Sequence, residues 1–223
     1  MTTIRSADLP LVLLGAGGHA KVLQALALAA EQRIIGVCDP QLAAASQSIW
    51  RDLPVLGCDG ALSTMDSAKI GLLNGIGQVT GNTLREDIYE RQRGAGFLFP
   101  ALVHPTAWLS PDTMLADGVQ IMAGAIVQPC CAIGCNSIVN TSSSIDHDCT
   151  IEAHVHIAPG ATICGGVHVA TGAFIGAGAV ILPGLKVGTR AIVGAGVTLT
   201  HDLDPGQTYL GSANRLTATR INS

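Results

Sequence analysis

Charge is scarce in this chain: Asp, Glu, Lys and Arg make up 13% of its 223 residues, and the net charge at neutral pH is −4. That balance leaves no basic footprint for a nucleic acid, and with so many apolar residues it also argues against disorder. Aromatics are scarcer still, at 3%. Large rings cannot fill the core, so small and branched side chains must stack there instead. Long apolar runs are missing as well. Although 48% of residues are hydrophobic, no stretch approaches the roughly 18 residues that cross a bilayer. The nearest, Leu9 to Leu14, stops at Gly15, and His19 and Lys21 follow. Met1 to Pro10 carries Arg5 and Asp8 and leads into a glycine loop rather than a cleavage site, so no signal peptide is expected. The expectation is a cytoplasmic protein that neither inserts in a membrane nor binds nucleic acid. Its seven cysteines, an odd count without a C-x-x-C pair, should then be reduced. Cys130, Cys131 and Cys135 read as small side chains at repeat positions, and no metal is expected.

What the sequence has is a repeat. Every sixth residue from Val103 to Leu199 is aliphatic, seventeen positions with no insertion. At this hydrophobic content a run in phase would arise by chance with probability on the order of a few in a million. The residue four places after each aliphatic is mostly small, as at Ala125, Cys131, Ser137, Ala161 and Ala179. A period of six fits neither a helix nor a long alternating strand. It fits a short flat strand plus a tight corner, three of which close one triangular coil. Each aliphatic then stacks on the one a full coil away, about 4.8 Å along the axis. The small residue is expected to turn the corner. Cys131 and Cys149 share that corner one coil apart and are expected to stack as thiols.

Ahead of the repeats, Leu11 to Leu14 reads as a buried strand, Gly15-Ala-Gly-Gly-His19 as a tight loop, and Ala20 to Glu31 as a helix. Ile34 to Cys38 and Ile70 to Ile76 read as further strands, and Thr83 to Arg93 as a polar-faced helix. Strands alternating with helices imply a small parallel sheet. The division expected is a Rossmann-like α/β domain over residues 1–100 and an all-β parallel β-helix over 101–223. The loop satisfies G-x-G-x-x-A with Asp39 about 20 residues on, the spacing of a dinucleotide fingerprint. About 100 residues suffice for one mononucleotide-binding half, not two, so a nucleotide-sugar is the preferred ligand. A purely structural turn and NAD stand behind it.

Among seven histidines, His147 lies between two carboxylates in Ile145-Asp-His-Asp-Cys149, and the residue one coil along is Gly165. A neighbouring carboxylate can orient an imidazole and stabilise its charged form, as a general base requires. A solvated surface histidine fits the spacing equally well.

Gly15-Ala-Gly-Gly-His19, Ile76-Gly77, His104-Pro105, Asn140-Thr141, Asp146-His-Asp-Cys149 and Leu182-Pro-Gly184, in this order, resemble the NeuD/PglD family of sugar acetyltransferases from about residue 10 to 211. The resemblance implies a left-handed β-helix, acetyl-CoA as co-substrate, and a homotrimer with active sites between adjacent β-helices. It implies His147 as general base and Asp148 as the residue raising its basicity. It further implies Gly17, Gly18, His19, Asp39 and Gly77 around a nucleotide-sugar, with His156, Gly165 and Ala177 at acetyl-CoA. Transfer would be direct, without an acyl-cysteine. The acceptor expected is the 4-amino group of a nucleotide-linked sugar, the alternative being O-acetylation of a sialic acid. Two departures stand out: Gly211-Ser-Ala-Asn-Arg215 replaces the family's G-x-P-A, and Asp148 replaces a glutamate found in some relatives. Two rival readings are a γ-type carbonic anhydrase, with zinc on His147, His154 and His156, and a β-helix scaffold without catalysis.

Overall fold

A computed structural model describes residues 9–78 and 80–211. The Ser212–Arg215 stretch noted above lies outside the described residues.

Four apolar residues suffice for a strand buried on both faces, and β1 (Leu11–Leu14) is buried throughout. It pairs in parallel with β2 (Ile34–Cys38) on one side and β5 (Gly71–Asn74) on the other. Between these in sequence come α1 (Gly18–Ala29), α2 (Pro40–Ala44) and a hairpin of β3 (Ile49–Trp50) and β4 (Leu53–Gly57). The sheet order is β3-β4-β2-β1-β5, and α3 (Leu84–Gly94) follows. Both expected helices are present, each displaced by a residue or two, and the expected third strand is trimmed to Gly71–Asn74. The sequence reading had no strand at β4, where Pro54 argues against one. Proline is tolerated because β4 faces β3 antiparallel over only Ile49↔Pro54 and Trp50↔Leu53.

From Leu102 the chain winds as a parallel β-helix. Eighteen two-residue strands, Leu102–Val103 to Thr208–Tyr209, form three parallel sheets of seven, six and five strands. We call them the first, second and third faces, in the order the chain visits them. The register follows the six-residue period: Val127 pairs with Ile145, and Ile145 with Ile163. From Ile121 to Leu199 these aliphatics lie in one buried core, with Val103, Leu109 and Leu115 packed at its open end.

One expectation is corrected. The small residue four places after each aliphatic does not turn the corner. The residue before it does, with φ between 54° and 72° at Cys130, Asn136, Ser142, Asp148, His154, Gly160, Gly166 and Gly184. The small residue points inward: Ala125, Cys131, Ser137, Ala161 and Ala179 are fully buried. At a vertex of the prism two walls converge, which favours small inward side chains, although Val119, Val155 and Val167 are buried at the same position. Cys131 and Cys149 are both buried free thiols there, donating to the carbonyls of Asp146 and Cys164 at 3.1 and 3.2 Å. Some positions just after the aliphatic must be glycine for a different reason. A Cβ at Gly134 would collide with the Glu152 carbonyl carbon of the next coil.

The α/β domain sits on the first face. Leu11, Leu13, Leu23 and Leu73 share one buried cluster with Leu102, Met122 and Ile138 of the β-helix. Truncating a central stacker such as Ile163 to alanine is expected to cost about 2–5 kcal/mol in urea unfolding. A loss below about 1 kcal/mol would mean the stack is not the core. No helix among the described residues is long and apolar enough to cross a membrane.

Candidate active site

In a triangular coil each face lies opposite one vertex. Residues after the second-face strands, among them His147, Asp148 and Gly165, form the vertex between the second and third faces. That vertex is opposite the first face, where the α/β domain docks. The expected site residues therefore divide into two groups on opposite sides of the prism.

His147 is exposed, its side chain retaining 61% of its accessible surface. Its Nδ1 lies 2.7 Å from Oδ2 of Asp148, and its backbone N–H donates to Oδ1 of Asp146 at 2.8 Å. Asp148 reaches the ring because its own backbone is left-handed, φ 58°. The carboxylate keeps the proton on Nδ1 and leaves Nε2 as the basic lone pair. The ring's pKa is raised, first by the Asp148 hydrogen bond and then by the charge of Asp146. Gly165 stands one coil beyond. A Cβ there would lie 2.7 Å from both Cε1 and Nε2 of His147, so its lack of a side chain is what leaves the Nε2 edge open.

The second group surrounds the glycine loop. β1 is the point where the strand order reverses, so the loops after β1 and β5 part at their carboxyl ends and leave a crevice. α1 opens into it. Its N-cap is Gly17, no side chain caps it, and a Cβ at Gly17 or Gly18 would meet nothing within 4 Å. Free N–H groups at a helix start, on an open surface, suit a phosphate. Gly77 borders the loop, since a Cβ there would be 3.3 Å from that of His19. Asp39 acts from behind: Oδ2 accepts the Ala16 N–H at 2.9 Å, and Oδ1 accepts those of Gln41 and Leu42. It pins the loop and caps α2.

His19 reaches the β-helix, where its Nε2 meets Oε1 of Gln120 at 2.7 Å. His156, on the first face, is buried against Phe174 with ring centroids 4.9 Å apart. Burial, aided by the charge of Arg85, pushes His19 down to about 4; burial, with the nearby His19 and Arg85, pushes His156 to about 3. The structure thus gathers His19 and His156 but separates both from His147 and Gly165. Ala177 stands on yet another vertex, between the first and second faces, exposed. His154 is bonded to Asn136 at 2.9 Å and paired with Glu90 at 3.1 Å. Among the described residues no group of three His, Cys, Asp or Glu side chains is placed to hold a metal.

Sequence reasoning missed Arg85. It is fully buried with no acidic partner recorded among the described residues, and donates to the carbonyls of Asn74, Ile76 and Asn136 at 2.7–3.3 Å. Burial lowers its pKa to about 9, which leaves it charged at neutral pH. It ties the end of β5 to the third-to-first vertex. An arginine on a polar helix carries no sequence signal of that contact.

Residues 10–92 match the family model of the PglD N-terminal domain, and residues 166–201 match that of bacterial transferase hexapeptide repeats (six repeats). The acetyltransferase domain of PglB from Neisseria gonorrhoeae FA1090, solved with acetyl coenzyme A, is 33% identical. It superposes with a TM-score of 0.82 over 89% of this chain and 94% of that one. A mutant of the perosamine N-acetyltransferase from Caulobacter crescentus, solved with CoA and GDP-perosamine, is 32% identical with a TM-score of 0.83, covering 96% of this chain and 99% of that one. The GDP-perosamine N-acetyltransferase of Escherichia coli O157:H7 is 34% identical over 93 residues, 39% of this chain and 42% of that protein. The chain spans less than half the length of the curated relatives it matches. The fold is an α/β domain followed by a left-handed parallel β-helix.

Proposed function

The chain belongs to the PglD-type family of hexapeptide-repeat sugar acetyltransferases, and from that premise we propose that it transfers acetyl from acetyl-CoA to the 4-amino group of a nucleotide-linked amino sugar. The observation that carries the reading is the pairing of His147 with Asp148 beside Gly165: an exposed, oriented imidazole with its Nε2 edge open.

In this reading the nucleotide-sugar lies on the glycine loop, its phosphates at Gly17 and Gly18 and the start of α1, with Gly77 and His19 beside it. Nε2 of His147 takes a proton from the amine as the nitrogen attacks the thioester carbonyl, and Asp148 stabilises the imidazolium that results. Collapse of the tetrahedral intermediate breaks the carbon–sulfur bond and releases CoA as thiol. Transfer is direct. The buried thiols are poor nucleophiles, since burial pushes Cys38 up to about 11 and Cys149 up to about 12. His147 and the glycine loop lie on opposite sides of one prism, so the sugar bound by one copy meets the base of another. A homotrimer with its sites between adjacent β-helices closes that gap, with His156, Gly165 and Ala177 along the path of acetyl-CoA. Seven free thiols fit a reducing compartment, the cytoplasm.

The test is incubation with acetyl-CoA and a panel of 4-amino-sugar nucleotides and sialic acid, read by product mass. A mass gain of one acetyl on a 4-amino-sugar nucleotide is expected. Acetylation of sialic acid alone would overturn the N-acetyl reading, and no product on any sugar would favour a scaffold.

The pH profile gives a second check. His147 is active only while Nε2 is unprotonated, so its raised pKa sets the acidic limb of kcat/KM above that of an unpaired imidazole. Asp148→Asn removes the largest cause of the rise. The limb is expected to move to lower pH, while the plateau falls about ten- to a hundredfold, as with other orienting partners. A limb that stays in place would mean His147 is not the group titrating.

A further inference from the structure

Ladder hydrogen bonds hold the corner that carries His147 on either side of that residue. The Asp146 N–H donates to the Ile163 carbonyl at 2.8 Å, and the Asp148 N–H to the Pro129 carbonyl at 3.1 Å. The Asp146 carbonyl in turn accepts from the buried Cys131 thiol at 3.1 Å. Between these anchors the His147 N–H makes no backbone hydrogen bond among the described residues. The coil itself leaves that donor unplaced: three of the five equivalent positions are Pro111, Pro129 and Pro183, which have no N–H to satisfy. At His147 a side chain takes the donor instead, Oδ1 of Asp146 at 2.8 Å. That bond engages Asp146 at the backbone, and the ring's Nδ1 is left to Asp148. The stacked positions one coil away are Gln128, Pro129 and Cys130 on one side and Cys164, Gly165 and Gly166 on the other. The Cys130 thiol is held protonated by its hydrogen bond to Asp112, which raises its pKa. No charged side chain therefore stacks on the ring from a neighbouring coil, and Asp146 and Asp148 are the carboxylates that favour its protonated form.

We infer that Asp146 is a second positioning residue for the base: it clamps the backbone from which the His147 ring projects and sets its charge beside the imidazolium that forms, while Asp148 alone holds the ring. The two carboxylates divide the work by backbone geometry. Asp148 reaches the ring from a left-handed corner, φ 58°, whereas Asp146 precedes the ring and reaches back to the N–H that follows it. A side chain on an open surface is placed only as well as the backbone beneath it, so the clamp matters most where the ring itself is unpacked.

The inference rests on the reading of His147 as the base, and two variants keep the questions apart. Asp146→Asn keeps an oxygen for the His147 N–H and removes the charge; Asp146→Ala removes both. In NMR on the full chain, the His147 ring is identified by its absence from His147→Ala. It is expected to titrate at lower pH in both Asp146 variants than in the wild type, because the carboxylate that favours its protonated form is gone. Amide hydrogen exchange at His147 is expected to quicken about tenfold in Asp146→Ala, the worth of one hydrogen bond, and to stay near wild type in Asp146→Asn. Kinetics should divide the same way, with the acidic limb of kcat/KM moved to lower pH in both. At the plateau kcat is expected to fall at most about fivefold in Asp146→Asn, the upper worth of an exposed charge pair. In Asp146→Ala it should fall about ten- to a hundredfold, as for a displaced reacting group. A ring that titrates as in the wild type in Asp146→Asn overturns the charge role, and unchanged exchange in Asp146→Ala overturns the clamp. Should the wild type acetylate no sugar at all, the base reading fails while titration and exchange still decide how Asp146 acts on His147.

Discussion

His147→Ala is expected to lower kcat by about two to four orders of magnitude, the usual contribution of a general base, with fold and assembly unchanged. The separation of effects follows from the ring's surroundings. Among the described residues His147 packs in no hydrophobic cluster and its ring is hydrogen-bonded to Asp148 alone, itself an exposed residue. Removing it leaves no cavity and no buried group without a partner, so the change in stability should stay within about 0.5 kcal/mol. Steady-state kinetics with a competent nucleotide-sugar, alongside thermal melting and sedimentation, read the two effects separately. Activity within tenfold of wild type would take the base role away from His147.

Gly165→Ala is expected to cost nearly as much, by a steric route. The added Cβ would stand 2.7 Å from Cε1 and Nε2 of the His147 ring, closer than non-bonded atoms approach. The flexible partner must give way, and here that is the exposed imidazole rather than the backbone of the coil. Gly165 does not have the left-handed φ of Gly166 beside it, so alanine strains nothing else. A displacement of about 1 Å at a reacting group commonly costs about a hundredfold, and a drop in kcat/KM of that order is expected. The comparison that isolates the cause is the double variant. In a His147→Ala background the ring is absent, and adding Gly165→Ala should cost little more. If the two losses multiply instead, Gly165 acts on acetyl-CoA and not on the base.

Much of the β-helix was legible because it is nearly one-dimensional. Each inward aliphatic touches chiefly the equivalent residue one coil away, so a contact in space becomes a fixed interval in sequence, and Val127, Ile145, Ile163 and Ile181 declare it. The glycine loop was legible for the same reason: strand, turn and helix start are contiguous. The corner was misread because small size has two causes, a strained backbone or a crowded interior. Spacing alone cannot tell Cys130, at positive φ, from Cys131, buried beside it. The strand at Leu53–Gly57 was hidden by Pro54, which is tolerated where β4 meets only the two residues of β3.

Of the polar junction, the sequence offered only His19 and His156, and those through the family resemblance rather than any contact between them. Asn74, Arg85, Gln120, Asn136 and His156 are far apart in the chain; His19 and Gln120 are separated by 101 residues. None sits in a local motif, and their meaning arises only when the α/β domain docks on one particular face. Sequence by itself determined the coil, the phase of its core, the glycine loop and the carboxylate-flanked histidine, since each follows from residues whose spacing along the chain sets their spacing in space. The tertiary structure decided which face carries the second domain, and hence that the loop and His147 stand on opposite sides of one prism. Docking depends on surface complementarity between distant segments, and no periodicity records it.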